Sequence, residues 1–234
     1  MGVKITPRTL TGLPQENTRI EIEDISSYAD GDNIPDGPVN PHSINVLSYT
    51  LAPNDPNSLL DVDVSKKLTT AFSGAQLRVV TDNPAEELEW SSSNDAIATV
   101  SDTGLVTFKA KGGVKITGRH NEVRASIIFN PQLFFHFSQK SMNWHDANDW
   151  CENQGYRLPT ADELSVQKNK REASSGSLWQ EWGKSIDDVP HAGVVFWSSD
   201  LIIAAEDAYD YMYTKDGSVT SNTSDRSEGF ACVE

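Results

Sequence analysis

The side chains able to do chemistry in this chain are scattered. Five histidines stand at positions 42, 120, 136, 145 and 191, with no metal-ligand spacing among them. His145 sits beside Asp146 and reads most simply as a solvated helix residue. Carboxylate pairs such as Glu206 and Asp207 are the kind used in acid–base hydrolysis, but in a chain with 34 acids such neighbours arise by chance. The polar loop over residues 29–37 carries Asp30, Asp32 and Asp36 and invites a calcium reading. It lacks the alternating acids and terminal Glu of an EF-hand, so a solvated turn is the better description. Asn222-Thr223-Ser224 matches a glycosylation sequon. These residues point to no catalysis, no metal and no cofactor.

The remaining chemistry belongs to cysteines and aromatics. Cys151 and Cys232 are the two thiols of the chain. A bridge between them would close a loop of roughly eighty residues and contribute about 4–5 kcal/mol on the chain-entropy model. Two buried free thiols fit the spacing equally well. Leu178-Trp179-Gln180-Glu181-Trp182 follows a Ser-Ser-Gly-Ser stretch; its tryptophans are either core residues or exposed anchors of the kind enriched at binding hot spots. Tyr209, Tyr211 and Tyr213 alternate, so in a strand they share one face, and packing is favoured over a contact surface.

Positioning these residues requires a folded frame, and composition supports one. Six Trp and eight Phe argue against disorder. With 234 residues, 37% of them hydrophobic, the chain suits two thin modules better than one large core. A net charge of −15 and a pI near 4.6 exclude nucleic acid as a partner and disfavour anionic lipid. Neither a membrane-spanning run nor a signal peptide is expected: the apolar runs 133–137 and 201–205 are far shorter than the roughly twenty residues a bilayer needs.

Texture divides the chain at about residues 54 and 132. Residues 1–54 are rich in Pro, Asn, Asp and Gly, with candidate strands at 18–25 and 43–51. They are either an addition to the following module or the tail of a preceding one. Residues 55–132 read as short alternating strands punctuated by Asp102-Thr103-Gly104 and Lys111-Gly112-Gly113, a sandwich with Trp90 in its core. Residues 133–234 change again. Trp144, Ala147, Trp150 and Cys151 fall on one face of a helix capped by Asn143 and stopped by Gly155. Thr160 and Glu163 form a capping box for a second helix. Strands follow at 194–199, 209–214 and 229–233, with Trp197 read as core.

The order Leu88-Glu89-Trp90, Ser-Asn turn, Ala98-Thr99-Val100, Gly104-Leu105-Val106 and Gly113-led strand resembles the bacterial group 2 immunoglobulin-like domain. Helix, Cys151, Gly155-Tyr156-Arg157-Leu158-Pro159, helix, Phe196-Trp197-Ser198-Ser199 and Gly229-Phe230-Ala231-Cys232-Val233 is similar to a C-type-lectin-like domain. Together they resemble the C-terminal tip of the intimin and invasin family of bacterial outer-membrane adhesins. The fold class implied is multi-domain: an all-β immunoglobulin-like sandwich followed by an α+β C-type-lectin-like domain.

The resemblance implies a Cys151–Cys232 disulfide, a place outside the reducing cytosol on the bacterial surface, and a host protein, either receptor or soluble, as partner of a monomer. A spacer with a ligand-free cap and a calcium-independent carbohydrate-binding module are the alternatives. Calcium-dependent sugar binding is not implied, because the Glu-Pro-Asn and Trp-Asn-Asp motifs are absent; Asp187-Asp188-Val189-Pro190 and Trp197-Ser198-Ser199-Asp200 depart from them. The expected docking surface is distal and joins two segments. One is the 174–190 loop, with Trp179, Glu181, Trp182, Asp187 and Asp188. The other is the 215–226 segment, with Lys215, Asp216, Asn222 and Asp225.

Overall fold

A computed structural model describes residues 21–22, 43–56 and 58–234. The acidic loop over 29–37 and most of the 18–25 strand lie outside these residues. Ten strands make up the first part: β1 (Glu21–Ile22), β2 (Val46–Leu51), β3 (Leu60–Asp63), β4 (Thr70–Phe72), β5 (Gln76–Thr81), β6 (Glu89–Ser92), β7 (Ala98–Val100), β8 (Leu105–Phe108), β9 (Val114–His120) and β10 (Val123–Phe129). Nine of them form two antiparallel sheets, ordered β1-β10-β9-β6 and β3-β2-β5-β8-β7. The strand at 46–51 is therefore part of this sandwich, between β3 and β5.

Alternation along the strands sends one set of side chains inward. Tyr49, Leu51, Leu77, Val79, Val106 and Phe108 come from one sheet and Val114, Ile116, Ala125, Ile127 and Phe129 from the other, all buried. Tyr49 and Phe108 meet Phe129 edge to face at 5.3 and 6.1 Å. Trp90 departs from the expectation of a core residue: it is half-buried, because β6 is an edge strand. Its indole N–H donates to the Ala85 carbonyl (3.0 Å). Its ring lies so close to Gly104, at φ +71°, that a Cβ there would stand 2.9 Å from it.

The second part contains β11 (Leu133–Phe137), α1 (Trp144–Asn153), α2 (Ala161–Leu164), α3 (Leu178–Trp182), β12 (Val195–Ile203), β13 (Ala208–Tyr213), β14 (Val219–Thr223) and β15 (Ala231–Val233). Asn143 caps α1 by accepting from the Asp146 amide (2.8 Å). The helix ends in a Schellman arrangement: Gly155 at φ +80°, with the Gly155 and Tyr156 amides returning to the Glu152 and Cys151 carbonyls. Thr160 and Glu163 form the capping box of α2. Cys151 on α1 and Cys232 on β15 form a disulfide, Cα atoms 5.5 Å apart. Around it pack Ala147, Leu158, Trp197, Tyr209, Tyr211 and Phe230.

Two sheets complete this part. One is the antiparallel ribbon β12-β13-β14. The other is β15-β11-β4, in which β4 of the first module runs parallel to β11 of the second. The division at residue 132 thus cuts through a shared sheet.

Candidate functional site

The 174–190 segment is not an open loop. It holds α3 and a 3-10 turn over Gly183–Asp188, and these pack into the junction between modules. Trp179, Glu181 and Trp182, expected as partner contacts, are instead buried, with 5%, 0% and 0% of their surface exposed. Trp182 donates its indole N–H to the carbonyl and hydroxyl of Thr70, both at 3.1 Å. Its ring meets Phe72 at 5.3 Å. Trp179 donates to the Thr214 carbonyl (2.8 Å) over the glycine of the β13–β14 turn, Gly217. Two tryptophans so enclosed fill the core and cannot reach a partner.

Glu181 is the electrostatic centre of the junction. One carboxylate oxygen accepts from the Thr69 amide (3.2 Å), the Thr69 hydroxyl (2.6 Å) and the Ser174 amide (2.9 Å). The other accepts from the Thr70 amide (2.7 Å) and hydroxyl (2.5 Å). Burial pushes its pKa above the usual carboxylate range, with the Thr69 and Thr70 donors opposing. Arg171 spans the same seam, donating to the Ser58, Gln180 and Glu181 carbonyls. Burial lowers its pKa to about 10 against the pull of Asp55 and Glu181. The sequence carried one signal for this seam, a leucine and two tryptophans set around Gln180 and Glu181 within five residues. A helix this short has too few turns to show a period.

The other expected contacts remain at the surface, but not together. Lys215 and Asp216 occupy the β13–β14 turn, where Lys215 lies over the Tyr213 ring at 5.3 Å. Burial raises Asp216, but the Ser218 hydroxyl and amide and Lys168 outweigh it and hold the carboxyl below its usual range. Asp187 pairs with His191 (3.1 Å). Asp188 lines a cleft with Asn54, Asp55 and Gln76 of the first module, and burial, with Asp55 and Asp187 nearby, raises its pKa. Lys215 and Asp216 thus stand at the β13–β14 turn end of the ribbon, and Asp188 at the junction between modules.

Asn222 and Asp225 lie at the opposite end, where Asn222 pairs with Tyr209 and the Thr223 hydroxyl donates to Asp225 (2.5 Å). The six residues of β13 separate the two ends by about 17–20 Å. The contacts expected on one distal surface therefore fall in two groups along the ribbon.

The four described histidines keep separate partners, His42 lying outside the described residues: His120 the Glu87 carbonyl, His136 the Tyr156 ring and Glu234, His145 Asp207, and His191 Asp187. Among the described residues, no three His, Cys, Asp or Glu are grouped to hold a metal. Trp197 is fully buried, and Tyr209 and Tyr211 pack against the disulfide core.

Residues 55–127 match the bacterial immunoglobulin-like domain (group 2). The structure is similar to that of invasin, a bacterial integrin-binding protein: TM-score 0.68 and 17% identity over 82% of this chain and 39% of that one. It is also similar to the C-terminal 282-residue fragment of intimin in complex with the intimin-binding domain of the translocated intimin receptor (0.63, 17%, 82% and 66%). A third match is intimin-190 from enteropathogenic E. coli (0.51, 19%, 82% and 98%). The chain thus spans well under half of the invasin structure. Its residues 55–127 match the group 2 bacterial immunoglobulin-like domain, and the chain shares the two-module fold of the invasin and intimin structures.

Proposed function

We propose that the chain is the adhesive end of a bacterial surface protein. Its lectin-like part binds a host protein, receptor or soluble, while the immunoglobulin-like domain acts as stalk; it is a monomer and not an enzyme. The observation that carries this reading is the shared two-module fold with proteins whose structures are described as integrin-binding and receptor-bound. The Cys151–Cys232 disulfide supports an oxidising location outside the cytosol. Among the described residues no helix is long and apolar enough to cross a membrane. Asp187, Asp188, Lys215, Asp216, Asn222 and Asp225 are proposed contact residues, in the two groups described above.

The test is binding of the whole fluorescent chain to cultured mammalian cells, before and after the cells are stripped with protease, with a glycan array in parallel. Saturable binding that protease abolishes is expected. Binding that survives protease and maps to glycans, or no binding to any cell type, defeats the proposal.

A further inference from the structure

The corner joining β12 to β13 presents the longest exposed apolar run among the described residues. Leu201, Ile202 and Ile203 expose 49%, 52% and 40% of their surface, and Ala204 and Ala205 beside them are exposed too. Strand alternation should turn Leu201 and Ile203 away from Ile202 and hide one set. Here neither set is hidden: Leu201 and Ile203 still pair with Tyr209 and Ala208, but register shifts after Trp197 and after Leu201 break the alternation of the strand.

The corner is held firmly. Asp207, at φ 50°, ends its turn. The Asp207 side chain accepts from the Ser224 hydroxyl and pairs with His145 (2.8 Å), and its carbonyl accepts from the Ser224 amide (2.8 Å). The Trp144 ring stacks on Tyr209 at 3.6 Å immediately behind it. Three large aliphatic side chains are therefore displayed on a fixed support, an arrangement that marks interaction sites when no core covers them.

The charge around the run is mostly negative. Asp200, Glu206, Asp207 and Asp225 border it, and no Lys or Arg occurs between residues 191 and 214; Arg226 is the one cation in the adjoining β14 turn. Resting on the proposed adhesive function, the geometry points to Leu201–Ile203 as an apolar knob that docks into a hydrophobic pocket of a partner protein rimmed by Lys and Arg. The acids steer and orient that partner. The same acids repel a second copy of this chain, with its net charge of −15, and anionic lipid.

The test uses the whole chain on the protease-sensitive cell-surface sites defined above. L201T/I202T/I203T puts β-branched residues at all three positions and should leave the fold intact by circular dichroism. It should weaken binding at least about thirtyfold, as expected for hot-spot anchors. E206K/D225K should slow association severalfold, and raised salt should weaken the wild type more than this variant. L47T/V166T, which removes exposed apolar residues elsewhere, should bind as wild type.

Wild-type-like binding by the triple variant, with cell binding itself intact, overturns the docking surface and leaves the adhesive function standing. Failure of the wild type to bind any protease-sensitive site overturns both. A wild-type dimer in light scattering that the triple variant abolishes would make a second copy the occupant. Flotation of the wild type, but not the variant, with phosphatidylcholine vesicles would make it a membrane. Either result overturns the proposal.

Discussion

Glu181 and Trp182 show how one side chain comes to depend on a distant one. Five donors converge on the Glu181 carboxylate, and removing it leaves buried amides and hydroxyls without an acceptor, each costing about 1–3 kcal/mol. Glu181→Ala should lower stability by about 3 kcal/mol or more in urea unfolding, because several buried donors lose their shared acceptor at once. Trp182→Ala opens a cavity beside Phe72 and should cost about 3–5 kcal/mol as well. An exposed anchor would cost under about 0.5 kcal/mol.

His191 gives the pH dependence. Its ring is enclosed by Phe137 and Phe196, with 8% of the side chain exposed. The hydrogen bond to Asp187 raises its pKa above the usual histidine value despite burial. A raised folded-state pKa adds stability that is complete below the unfolded value, about 6.5, and is lost as pH rises through the folded value. Unfolding free energy should therefore fall across that window in the wild type. The fall should be smaller in Asp187→Asn; equal pH profiles would contradict the pairing.

At the scale of elements, the disulfide joins α1 to β15 across a separation of 81 residues. The helix buries little besides Ala147 and Cys151, and the second core is small, so the bridge matters more here than it would in a large core. Intact mass should rise by two hydrogens on reduction, and alkylation should require reductant. Replacing both cysteines by Ala should lower stability by about 2–4 kcal/mol, with the loss appearing first in exchange protection of α1 and β15. Both caps of α1 and the capping box of α2 were legible in the sequence because each is a local contact between residues at most five apart. The short α3 was not, since it has one turn, no side-chain cap and polar neighbours.

For the whole molecule, the shared β4–β11 pairing and the Glu181 seam make the two modules depend on one another. A fragment of residues 133–234 would lack Thr69 and Thr70, and with them four of the five Glu181 donors, both acceptors of the Trp182 indole, and the strand beside β11. That fragment should melt well below the lectin-like part of the whole chain, whereas the whole chain should unfold in one cooperative transition. Two separate transitions, with the fragment as stable as in the intact chain, would show that the seam contributes nothing.

What the sequence determined by itself was the order of modules, the strand-rich texture, the helix faces and caps, and, through family resemblance, the pairing of Cys151 with Cys232. Period, turn residues and caps act over a few positions, and a chain prints them wherever they occur. What the tertiary structure decided was burial at long range. Leu178–Trp182 reads equally well as core or as surface until Thr70, 112 residues from Trp182, is set against it. The 215–226 contact residues read as one cluster until β13 sets Asn222 and Asp225 at the other end of the ribbon from Lys215 and Asp216. Residues 201–205 read in the sequence as a short apolar run, and only the fold leaves Leu201, Ile202 and Ile203 exposed. In each case the side chain's own chemistry is the same in both readings, and only the partner that the fold brings to it, or withholds, selects between them.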